Sequence, residues 1–137
     1  MLKKIEHIGI AVKNLELSNR LYAKLLDTKH YKTEFVDSES VKTSFFKVGE
    51  NKIELLQATK PESAIAKFIN KKGEGVHHIA FEVENIEAEI KRLINEGFEF
   101  IDNTPKLGAD NKIIAFLHPK SSGGVLVELC QEVSNKE

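Results

Sequence analysis

The sequence predicts an α+β fold made of two copies of a βαβββ module. Three observations predict it. Residues 7–15 read His-Ile-Gly-Ile-Ala-Val-Lys-Asn-Leu and residues 78–86 read His-Ile-Ala-Phe-Glu-Val-Glu-Asn-Ile, a repeat offset by 78 − 7 = 71 positions. Ile53-Glu54-Leu55-Leu56-Gln57 is echoed by Val127-Glu128-Leu129-Cys130-Gln131, at 128 − 54 = 74. Between the members of these pairs the hydrophobic period runs from two to helical and back to two, in both halves. A period this long with two copies marks a duplicated half-domain, not a solenoid.

The elements follow in order. A strand at about 4–12 leads into an Asn-headed helix over 15–26, where Leu17, Leu21 and Leu25 stand at helical spacing. Phe-, Val- and Ile-rich segments at about 31–36, 41–48 and 51–57 read as strands, broken by Gly49-Glu50-Asn51. Pro61-Glu62-Ser63 opens a short amphipathic helix holding Ala64, Ile65, Phe68 and Ile69, which ends in the polar Lys71-Lys72-Gly73-Glu74-Gly75 linker. The second module repeats the pattern with a strand at 76–83 and a helix capped by Asn85. That helix carries Ile86, Ile90, Leu93 and Ile94 as its stripe and Gly97 just past its end. Strands at about 98–101, 112–117 and 125–131 complete it, interrupted by Pro119-Lys120-Ser121-Ser122-Gly123-Gly124. Residues 1–137 are expected to form a single domain with halves of about 1–60 and 74–133, and the tail from Ser134 is expected to fray.

Composition bounds the function. The 137 residues suffice for a core without disulfides. Twenty basic residues against 21 acidic ones give a net charge of −1, which leaves no broad basic field and argues against general nucleic-acid binding. A lone cysteine, Cys130, excludes an internal disulfide and suits a reducing compartment. Met1 to Glu6 is too short and too charged for the apolar region of a signal peptide. No apolar run approaches the ~18–20 residues of a membrane span. A cytoplasmic protein with no membrane partner is the expectation.

Strand alternation selects four polar residues. His7, Gly9 and Ala11 share one face of the first strand, and Ile8, Ile10 and Val12 the other; His78, Ala80 and Glu82 oppose Ile79, Phe81 and Val83. The bulky face should pack on the helices, which leaves each histidine on the helix-free face. Glu54 and Glu128 fall on that face of the last strand of each half. If the two helix-free faces enclose a cleft, two imidazoles and two carboxylates converge in it. Buried carboxylates need compensating charge, and a divalent cation supplies it. Two nitrogen and two oxygen donors suit Co²⁺, Ni²⁺, Zn²⁺, Mn²⁺ or Fe²⁺ better than Ca²⁺. A lone strand histidine is ordinarily a packing residue and a strand glutamate ordinarily solvated. The recurrence of both at matched positions is what favours a site.

These segments, together with Pro105-Lys106-Leu107-Gly108-Ala109, Phe116-Leu117-His118-Pro119-Lys120 and Gly123-Gly124-Val125-Leu126-Val127-Glu128-Leu129, resemble the glyoxalase, or vicinal oxygen chelate, superfamily, and within it the methylmalonyl-CoA epimerase family. The resemblance runs from Ile5 to Gln131. It implies metal ligands at His7, Glu54, His78 and Glu128, the residues that the repeat selects independently; some members have Gln in place of Glu54. It implies an acyl-CoA substrate, a homodimer, and interconversion of (2R)- and (2S)-methylmalonyl-CoA by removal and return of the α-proton. Glu128 is the implied base. Some members carry a second Glu in the third strand of the first half. Thr43 stands there in this chain, so that Glu39, Glu34 or an ordered water must substitute. Lys106, Lys120 and His118 are candidate substrate contacts, set against solvated lysines and a turn-stabilising histidine. His77 points away from His78 and reads as structural, His30 as exposed, and Cys130 as a small buried thiol. A lactoylglutathione lyase, or a metal-free ligand-sequestering protein of the same superfamily, are the alternatives; retention of all four ligand residues argues against the latter.

Overall fold

The computed structural model describes residues 1–133; the expected fraying from Ser134 onward lies outside the described residues. The element types alternate as βαβββ, helix, βαβββ, an α+β arrangement. The chain divides into two compact units, His7–His77 and a second composed of Met1–Glu6 with the residues from His78 onward.

In the first unit, β1 (Leu2–Ala11) contributes its stretch from His7 and runs parallel to β4 (Asn51–Ala58), while β3 (Val41–Val48) joins β4 to β2 (Lys32–Val36) through antiparallel ladders. Gly49, at φ +61°, turns the chain between β3 and β4. Helix α1 (Leu15–Leu26) is capped by Asn14, whose side chain accepts the Leu17 N–H at 3.0 Å, and stops where Asp27 adopts the left-handed conformation. Val12, Leu15, Phe46 and Leu55 form the core beneath it, with Ile10, Tyr22, Ala23, Leu26 and Ile53 packed around them. Each such buried Leu or Phe contributes about 1.5–3 kcal/mol. Helix α2 (Ala64–Lys72) is capped by Ser63 and buries Ile65.

The leucines that stand at helical spacing on α1 face outward: Leu17, Leu21 and Leu25 are 59%, 62% and 70% exposed. Helical periodicity offered two apolar rows, and the helix head decides between them. The Leu15 N–H donates to the Gln57 side chain at 2.5 Å, which turns Leu15 into the core. Residues 22, 23 and 26 follow to that side, whereas Leu17, two residues and about 200° on, is carried away from it.

In the second unit, β5 (Gly75–Val83) runs parallel to β8 (Val127–Glu132); β7 (Lys112–Phe116) pairs antiparallel with β8, and the two-residue β6 (Lys106–Leu107) with β7. The start of β1 belongs here, with the Glu84 N–H donating to the Met1 carbonyl and Lys3 Nζ 3.3 Å from Glu82. Helix α3 (Ile86–Asn95) has Asn85 as its cap, accepting the Ala88 N–H at 3.0 Å, and Gly97 follows it at φ +100°. Its Ile86 and Ile90 enter a core of Val83, Phe100, Ala115, Leu117 and Leu129, while Ile94 stays largely exposed.

Two expectations need correction. The segment 98–101 is not a ladder strand. It makes one isolated bridge, Phe100 to Leu117, because Phe100 is drawn into the α3 core and the chain then leaves; the second strand of this half is Lys106–Leu107 instead. The face carrying Ile8, Ile10 and Val12 is buried only at its end. Val12 and Val83 are enclosed, Ile8, Ile10, Ile79 and Phe81 are half-buried, and Ala11 and Ala80 on the histidine face are fully buried. The helices pack chiefly on the later strands of each unit, α1 on β3 and β4 and α3 on β7 and β8, which leaves most of the first-strand face half-covered. Among the described residues no helix is long and apolar enough to cross a membrane.

Candidate metal centre

Each unit brings one imidazole to one carboxylate. In the first, His7 Nδ1 lies 3.2 Å from Glu54 Oε2; in the second, His78 Nε2 lies 3.1 Å from Glu128 Oε1. All four residues are 5% exposed or less.

The strand register explains the likeness. Glu54 stands opposite Gly9 on β1 and Phe45 on β3; Glu128 stands opposite Ala80 on β5 and Phe116 on β7. In both units a small residue two positions after the histidine leaves space beside the carboxylate, and a phenylalanine closes the other side. Phe116 meets His78 edge-on, with ring centroids 5.7 Å apart. These phenylalanines do not stand out in the sequence read alone, although their offset, 116 − 45 = 71, equals that of the histidines. The donor set fits a divalent cation: buried carboxylates beside imidazoles, which coordinate when neutral, leave negative charge that an ion offsets.

The remaining residues fall elsewhere. His118 is exposed at the head of a short 3₁₀ turn, where its Nδ1 accepts the Lys120 N–H at 3.3 Å. Lys120 is exposed. Lys106 is exposed on β6 and lines a cavity of about 420 Å³ at the head of α3 with Pro105, Ile113 and Gln131. His77 packs edge-on against Phe68 at 5.0 Å, the structural role expected of it. His30 is half-buried against Phe46 at 5.8 Å, not exposed, because the chain leaving α1 crosses the same core. Cys130 is fully buried, and burial pushes its thiol far above the ordinary range, so it is inert.

One buried pair escaped the sequence reading. Lys112 Nζ lies 3.8 Å from Glu6 Oε2 and 3.6 Å from Glu132, with the Lys112 and Glu6 side chains 8% and 3% exposed. Nothing in the spacing of Glu6 and Lys112 signals their meeting.

Residues 6–116 match the family model described as Glyoxalase/Bleomycin resistance protein/Dioxygenase superfamily. The mitochondrial methylmalonyl-CoA epimerase of Dictyostelium discoideum is 40% identical over 127 residues, covering 92% of this chain and 76% of that protein. The ethylmalonyl-CoA/methylmalonyl-CoA epimerase of Cereibacter sphaeroides is 37% identical over 133 residues, covering 96% and 99%. A structure of Streptomyces coelicolor methylmalonyl-CoA epimerase in complex with 2-nitronate-propionyl-CoA superposes with a TM-score of 0.93 at 31% identity, covering 100% of this chain and 99% of that one.

Proposed function

Since the chain belongs to the glyoxalase/bleomycin resistance protein/dioxygenase superfamily, we propose that it is a divalent-metal-dependent methylmalonyl-CoA epimerase. The observation that carries this reading is the recurrence of a buried imidazole–carboxylate pair in both units, His7 with Glu54 and His78 with Glu128. The two epimerase relatives and the acyl-CoA complex support the substrate class.

His7, Glu54, His78 and Glu128 are the residues that would hold a divalent ion, Co²⁺ first. When bound, such an ion supplies positive charge that lowers the cost of building negative charge on the substrate. The rest falls to the chain. Glu128 takes the α-proton of the thioester, whose electron pair moves into the carbonyl. Phe45 and Phe116 keep water from the carboxylates opposite them, which strengthens every charge interaction nearby. The residues act as a single domain. Lys106, Lys120 and His118 are assigned to substrate binding, the lysines to the CoA phosphates or the substrate carboxylate; all three are exposed. The unpaired Cys130 supports a cytoplasmic setting.

The reading includes a homodimer, with the outward face of α1 as the contact. Leu17, Leu21 and Leu25 form a line that water would otherwise cover, with Glu16 and Lys24 at opposite ends of its flank. Two copies paired antiparallel about Arg20, one residue from Leu21, set each Glu16 beside the other's Lys24, a self-complementary pattern.

The test is isotopic. Metal-loaded protein in D₂O should place deuterium at C2 as either pure methylmalonyl-CoA isomer converts to the other. Absence of both exchange and interconversion overturns the epimerase reading.

A further inference from the structure

Inverting a carbon centre takes two proton carriers, one on each face of the planar enolate. With Glu128 as one, the first unit's sheet identifies a candidate for the other. Its registers align Lys32 with Phe45, Glu54 and Gly9 in one row, and Glu34 with Thr43, Leu56 and Ala11 in the next, all on the face that carries His7. An independent contact fixes that face for the edge strand: Lys32 Nζ lies over the Phe45 ring, 4.7 Å from its centroid. Among the described strand residues on this face, the carboxylates are Glu54 and Glu34.

We propose that Glu34 is the second proton-transfer residue; this inference rests on the epimerase reading above. Glu54 is committed to its pair with His7. In a flat sheet, two strand spacings and one two-residue step put the Glu34 and Glu54 α-carbons about 12 Å apart, which leaves room for a small acyl group between the carboxylates. Between them stands Thr43, fully buried, with a hydroxyl that makes no hydrogen bond and cannot act as an acid at neutral pH. Glu39 is the weaker candidate. It lies in the 3₁₀ turn beyond the Val36–Val41 pair, at least one row further from Glu54 than Glu34 is. Lys32 Nζ, 3.8 Å from Glu34 Oε1, holds positive charge beside the carboxylate.

The step balances. One carboxylate gains a proton as the C2–H bond breaks and the electron pair moves into the thioester carbonyl. The other, protonated, delivers its proton to the opposite face as the new C–H bond forms and the carbonyl is restored. The two groups exchange protonation states in each turnover and reset through solvent.

The experiment follows each pure isomer separately in D₂O, with metal-loaded wild type, Glu34→Gln and Glu39→Gln, metal affinity and thermal midpoint being measured alongside. For Glu34→Gln, interconversion should fall by at least ~10²-fold. One isomer should still wash deuterium into C2 with retention, and metal affinity and thermal midpoint should hold. Glu39→Gln should turn over as wild type. Full interconversion by Glu34→Gln, or equal loss of exchange from both isomers, overturns the assignment while leaving the epimerase reading intact. A wild type that neither exchanges nor interconverts overturns the epimerase reading, and this inference with it.

Discussion

Glu54 and Gln57 stand three residues apart on β4, and strand alternation sends them to opposite faces: Glu54 meets His7 at 3.2 Å, while Gln57 accepts the Leu15 N–H at the head of α1 at 2.5 Å. Glu128 and Gln131 repeat the arrangement on β8, with His78 at 3.1 Å and the Ile86 N–H at 2.7 Å. One strand in each unit therefore sets both the site carboxylate and the rotation of the helix. Each glutamine satisfies a helix-terminal donor that the Asn cap does not reach.

Gln57→Leu tests this coupling. It should cost about 1 kcal/mol in urea unfolding, the worth of one hydrogen bond to a helix-end N–H. Metal stoichiometry should be unchanged, since Gln57 faces away from Glu54. Lost metal binding together with unchanged stability would refute the division of roles.

The proposed ligand set predicts about one divalent ion per chain on elemental analysis of Co²⁺- or Mn²⁺-loaded protein. His7→Ala should weaken binding by at least ~10–100-fold, the loss seen even for groups behind the ligands. Unchanged affinity removes His7 from the set.

Legibility in the sequence followed the kind of information needed. The cap at Asn14, the positive-φ glycine after α3 and the four strand residues are written in local spacing, and the duplication doubled the signals of cap and strand. The rotation of α1 was not, because two apolar rows compete on that helix and a side chain 42 residues away, Gln57, chooses between them. The short β6 likewise depends on where Phe100 finds its core. Phe45 and Phe116 gain meaning only once the register places them opposite Glu54 and Glu128. Glu6 and Lys112 are 106 positions apart (112 − 6) and have no counterpart in the other half, so no repeat advertises them.

The outward leucines make self-association measurable. Light scattering should report a dimer for wild type and a monomer for Leu21→Lys, with the variant still folded by circular dichroism because Leu21 is 62% exposed in the single chain. Monomeric wild type, or a dimer untouched by Leu21→Lys, eliminates this face.

Lys112 and Glu6 should behave as a buried ion pair. Lys112→Met strips Glu6 of its ammonium at a site 3% exposed and should cost about 3–5 kcal/mol. Adding Glu6→Gln should recover most of that loss, a coupling that a double-mutant cycle in urea unfolding reads directly. Additive losses would show that the two residues act independently.

Glu54 and Glu128 match in burial and in imidazole distance, yet the proposed chemistry treats them unequally. Both are ligands, and Glu128 is also the base. Replacement by Gln separates the roles, because the amide keeps the volume and one coordinating oxygen but is not a base. Glu54→Gln should therefore weaken metal binding while leaving most turnover at saturating metal. Glu128→Gln should weaken metal binding similarly and lower turnover by at least ~10²-fold under the same saturation. Exchange at C2 should persist only for the isomer whose proton Glu34 removes, the mirror of the Glu34→Gln result. Steady-state rates and C2 deuterium content, measured with each isomer at several metal concentrations, distinguish the two effects. Equal losses from both glutamines would reduce Glu128 to a ligand and leave Glu34 as the proton carrier to be paired anew.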